Sequence, residues 1–82
     1  MELYRGDVNK MLDYLINSAL LEVGKNPSAM TKEDKMRIVE LLDRRGAFLI
    51  TKSGPKVCEI LDISKFTLYN YLETIRKESG QK

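Results

Sequence analysis

The chain of 82 residues contains no histidine. The usual general base near neutral pH and the commonest metal ligand are therefore both missing. It contains one cysteine, Cys58, which excludes an internal disulfide and fits a reducing, cytoplasmic setting. A lone cysteine on an apolar helix face reads as a small core residue, because free cysteine buries readily. No apolar run approaches the ~20 residues of a membrane span, and no basic-then-apolar signal segment opens the chain. Neither a glycine-rich phosphate loop nor a metal-ligand spacing occurs. Nothing alternates long enough to build a sheet, and no internal repeat is present. These absences predict a protein that is not an enzyme, holds no metal or cofactor and spans no membrane.

What remains is one small helical domain. Hydrophobic residues make up 43% of the chain and charged residues 32%, the balance of a folded domain with a single modest core. Val8, Met11, Leu12, Leu15, Ile16, Ala19, Leu20 and Val23 recur at helical spacing over four to five turns. Asp7 is the expected N-cap of that helix and Gly24 its stop, with "GKNPSAM" a loop. A second helix is expected to open at Thr31, where "TKED" sets a hydroxyl and Asp34 three apart as a capping box. Ile38, Val39, Leu41 and Leu42 supply its buried face, and Gly46 follows its end. "AFLI" reads as an extended connector whose Phe48 and Ile50 tuck into the core.

The last third predicts a coupled pair of short helices. Pro55 suits a first helical turn, and Val57, Cys58, Ile60 and Leu61 carry the helix that follows. "DIS" is a three-residue turn, after which Ser64 caps a helix running to about Lys77. Two helices joined so tightly form a helix-turn-helix, whose second helix can lie in a DNA major groove. Cys58 is small enough for the crossing, Leu61 and Ile63 bracket the turn, and Asp62 takes the left-handed position where glycine is common. Too few residues follow Lys77 to add a β-hairpin wing. The expected fold is all-α, with about four helices ending in the helix-turn-helix. Residues 1–30 form an amphipathic linker or dimerisation helix and its loop, and residues 31–82 the helix-turn-helix unit.

Sorted by angle, Leu68, Leu72 and Ile75 share one side of the last helix, with Tyr71 at its edge. Phe66, Asn70 and Glu73 lie opposite, flanked by Tyr69 and Lys65. The core stripe is complete without Phe66, so this second face is outward surface. An exposed phenylalanine beside a hydroxyl, an amide and a cation suits base edges, thymine methyls and phosphates. The same pattern also suits docking on protein, as in an all-α interaction or dimerisation module. Charge favours an anionic partner for this half: residues 51–82 hold six cations against four anions, whereas residues 1–30 hold three against four. Lys52 and Lys56, near the start of the first helix of the pair, are the expected phosphate contacts.

"MTKEDKMRIVELLDRRGAFLI" followed by "VCEILDISKFTLYNYLETI" resembles the C-terminal DNA-binding region of YheO-like bacterial transcriptional regulators. The resemblance covers roughly residues 8 to 76, and "DISKFTLYNYL" with "RGAFLI" upstream is its most specific part. It implies that Ser64, Lys65, Phe66, Thr67, Tyr69 and Asn70 occupy recognition-helix positions facing double-stranded DNA. It also implies an effector sensed by a PAS-like domain, which is absent from this chain. The wide apolar stripe of the first helix, Met11 and Leu15 included, suits a homodimer, the form in which helix-turn-helix proteins usually read two half-sites.

Overall fold

The computed structural model describes residues 7–78, and side chains from residue 10 onward. Four α-helices follow one another: α1 (Asp7–Val23), α2 (Lys32–Arg44), α3 (Ser53–Leu61) and α4 (Lys65–Glu78). Among the described residues there is no strand, and no helix is long and apolar enough to cross a membrane. The fold is all-α, as the periodicity predicts.

Helix boundaries follow local chemistry. The N-terminus of α2 carries the full capping box: the Asp34 N–H donates to Thr31 Oγ1 at 3.2 Å, and the Thr31 N–H donates to Asp34 Oδ2 at 3.1 Å. Gly24 and Gly46 end α1 and α2 with φ of 76° and 78°, the left-handed turn that an L side chain resists. Asp7 is itself helical in α1, not its cap, and its side chain and that of Val8 lie outside the described ones. Helix α3 is short at nine residues, but α4, with fourteen, is longer than α2.

One expected connector is different. "AFLI" is not extended: Ala47–Leu49 forms a single 3-10 turn, closed by Leu49 N–H to Gly46 C=O and Ile50 N–H to Ala47 C=O, both at 3.1 Å. Three residues suffice for i→i+3 bonds where they are too few for an α-helix. The turn buries Ala47 completely, leaves Phe48 and Ile50 half-buried on the core, and puts Leu49 into solvent. A second 3-10 turn, Pro27–Ala29, sits inside the expected loop.

Helix α2 is the hub, with α1 and α4 both packed on it. Leu12 and Ile16 of α1, Ile38 and Leu42 of α2, Val57 and Leu61 of α3 and Leu68 of α4 are essentially inaccessible. Burying each such side chain is worth about 1.5–3 kcal/mol. Met11 is the exception on the predicted α1 stripe: it stands half in solvent, because the core needs only the side bearing Leu12, Ile16 and Ala19. Charged pairs close the seams. Arg45 meets Glu22 of α1, and Arg76 forks onto Asp43, Nη2 to Oδ1 at 2.8 Å and Nε to Oδ2 at 3.3 Å, tying α4 to α2.

Candidate nucleic-acid interface

Helix α3 ends in a left-handed residue that the sequence marks: Asp62, with φ 56° and ψ 52°. The Ile63 N–H donates back to the Cys58 carbonyl at 3.0 Å, and the Asp62 N–H to that of Glu59 at 3.4 Å. This is the paired closure of a Schellman end, which reverses the chain within one residue. Aspartate bears the left-handed region better than most residues with a side chain. Two residues later Ser64 opens α4, its Oγ accepting from the Thr67 N–H at 3.0 Å and its carbonyl from the Leu68 N–H at 3.0 Å. The Ser64 hydroxyl donates to Thr67 Oγ1, also at 3.0 Å. The α3–α4 unit is thus a helix-turn-helix, its turn held from both ends by named hydrogen bonds.

The two sides of α4 separate as the wheel predicts. Leu68, Tyr71, Leu72 and Ile75 are buried, whereas Lys65, Phe66, Tyr69, Asn70 and Glu73 are exposed. Phe66 keeps 75% of its surface in solvent and Tyr69 61%, values that leave neither a core position among the described residues. Cys58 is buried, and that burial pushes its thiol up from the usual range, with the nearby Lys65 cation opposing. It is held as a neutral thiol, which is a poor nucleophile.

The predicted residues do not all share one environment. Ser64 and Thr67 spend hydroxyl capacity on capping, and Thr67 is half-buried. Lys65 and Lys52 enter no ion pair among the described residues. Lys52 lines a groove with Pro55 of α3 and Tyr69, Glu73 and Lys77 of α4. Lys56 is differently placed. Its Nζ lies 2.7 Å from Asp13 Oδ1, which joins α3 to α1 and sets an internal carboxylate in competition with any phosphate.

Two features of the site escape the sequence. Lys52 itself takes a left-handed backbone, φ 66° and ψ 17°, at the residue before α3. Nothing in "TKSGPK" marks it, since glycine or asparagine would be the usual signal. The Asp13–Lys56 pair spans two helices far apart in the chain, and no local pattern encodes it. By contrast the serine and threonine three apart, Ser64 and Thr67, are a legible variant of the capping box.

A protein-family model described as an HTH domain matches residues 11–73, from the second turn of α1 into α4. No curated protein and no solved structure matches the chain.

Proposed function

The chain belongs to the family of HTH domains, and from that membership we propose that it binds double-stranded DNA sequence-specifically, as the C-terminal domain of a YheO-like bacterial transcriptional regulator. One observation carries the reading: α4, the second helix of the helix-turn-helix, has a complete buried side and an exposed one bearing Phe66, Tyr69, Asn70 and Lys65. In the proposed mode α4 lies in the major groove. Asn70 pairs bidentately with an adenine, and Phe66 covers a thymine methyl. Ser64, Lys65, Thr67 and Tyr69 border the same groove, and Lys52 and Lys56 meet phosphates that set the register. Two copies act together on paired half-sites, and the effector reaches them through a PAS-like sensor domain of the regulator.

The test pairs thermal melting with binding to a selected duplex and a scrambled one. Phe66→Ala and Asn70→Ala should leave stability within about 0.5 kcal/mol, as exposed sites do. Leu72→Ala should cost about 2–5 kcal/mol through the cavity it leaves. For binding the order reverses, each outward truncation removing about 1–3 kcal/mol at one base position while non-specific affinity holds. Steep loss of affinity between low and physiological salt is expected of phosphate contact. If selection from random duplexes enriches no sequence and binding ignores salt, α4 docks on protein instead.

A further inference from the structure

The core leaves the outer side of α1 without a role. Leu12, Ile16 and Ala19 are buried on one side, whereas Met11, Tyr14 and Leu21 on the other are 53%, 70% and 82% exposed. Ser18, half-buried, completes the row. The positions 11, 14, 18 and 21 alternate by three and four, which is the seam by which one helix pairs with another. Tyr14 to Leu21 is a run of eight residues with no charge, in a chain of which 32% is charged. The outward face of a solvated helix would carry charges there.

We propose that this face is the contact for a second copy of the chain, the two α1 helices running antiparallel about a two-fold axis level with Ile16. A two-fold contact requires that every residue of the seam meet another residue of the same seam. Positions 11 and 21 are equally far from 16, and so are 14 and 18. Met11 then lies over the partner's Leu21, and Tyr14 over the partner's Ser18, a large residue against a small one in each central layer. A parallel pair would instead set Tyr14 on Tyr14 and leave a gap between two serines. The uncharged seam brings no like charges together in either copy.

Area sets the strength of the contact. The three exposed apolar side chains present roughly 400 Å² per copy, within the range of functional patches on small proteins. Pairing buries about 800 Å² in total, the weak end of specific interfaces. The free chain should therefore associate weakly, and DNA that holds two copies on adjacent half-sites should complete the dimer. That link to DNA rests on the function proposed above. The geometry permits it: α1 and α4 each pack on α2. At about 8–10 Å per packed helix pair, α4 reaches its counterpart through the α1 pair in at most about 40–50 Å. A modest bend brings this to the ~34–36 Å between half-sites one turn apart.

The decisive experiment mixes two full-length variants in equal amounts without DNA and oxidises them mildly. One carries Tyr14→Cys and the other Ser18→Cys, each with Cys58→Ala so that the new thiol is alone. Antiparallel pairing should make the mixed disulfide exceed either homodisulfide on the order of tenfold, against about twofold for random collision. Predominance of the Tyr14→Cys homodisulfide would overturn the proposal, as would cross-linking no faster than for a control thiol at the exposed Glu59. Sedimentation of Leu21→Glu, which needs no cysteine change, should show fewer dimers than the parent at equal concentration with unchanged melting; an unchanged dimer fraction overturns the contact. If these tests fail while the chain still selects a duplex, the α1 contact falls and DNA binding stands. If they succeed on a chain that binds no DNA, the contact stands and the functional reading falls.

Discussion

Lys52 is where local conformation and proposed function pull apart. A left-handed backbone costs an ordinary L residue about 1–2 kcal/mol, and Lys52 holds one at φ 66° with no side-chain cap in return. Glycine would hold the same turn without that penalty, although it loses more backbone entropy on folding. Lys52→Gly should therefore raise stability by about 0.5–1 kcal/mol in a urea titration. It should also lower the salt slope of DNA binding by about one phosphate contact, without changing base preference. A variant that is both more stable and binds as the parent does would remove Lys52 from the interface. Asp62 sits in the same region at lower cost, because a short polar side chain can bond locally.

At the scale of elements, the start of α2 concentrates the local electrostatics. Asp34 accepts from Lys25 Nζ at 2.8 Å and from the Thr31 N–H at 3.1 Å. The Lys25 hydrogen bond first, and the Thr31 N–H second, hold its carboxyl below the ordinary value of 3.8. A carboxyl whose folded pKa is depressed stabilises the fold fully above its ordinary value and loses that contribution as pH falls through the folded one. Asp34→Asn keeps an acceptor for the cap but removes the charge. It should be less stable than the parent at pH 7, with the difference closing as the pH is lowered past 3.8 toward the folded pKa. Thermal melts of both chains between pH 2 and pH 7 measure this; curves that stay parallel throughout would assign the cap no charge dependence.

For the whole molecule, charge connects α1 to α3, the first helix of the helix-turn-helix. Lys56 is held by Asp13 of α1, and both side chains are part-exposed, so the pair itself contributes about 0–1 kcal/mol. Its larger effect would fall on binding, since a cation already neutralised adds little against phosphate. Asp13→Asn should leave melting nearly unchanged and tighten DNA binding. Lys56→Ala should then reduce the salt slope by close to one contact in the Asn background and by less in the parent chain. An equal effect of Lys56→Ala in both backgrounds would show that Asp13 does not restrain it.

The sequence by itself determined the helices and the sides of α4, because both depend on neighbours within four residues. Thr31 with Asp34, Gly24, Gly46, Asp62 and Ser64 each satisfy or reverse a backbone end locally. Leu68, Leu72 and Ile75 need only the helical period to declare the buried side, and Phe66 and Asn70 the exposed one. Tertiary structure alone decided the rest. Pairing of Lys56 with Asp13, Arg45 with Glu22 and Arg76 with Asp43 requires helices distant in the chain to meet, which no local spacing encodes. The left-handed Lys52 and the 3-10 turn at Ala47 both lie in the short link from Gly46 to Ser53, which buries Ala47 in the core and carries no local signal for either conformation. Exposure of Met11, which the helical period counts within the α1 stripe, was likewise settled only by packing, since the core covers just the side bearing Leu12, Ile16 and Ala19.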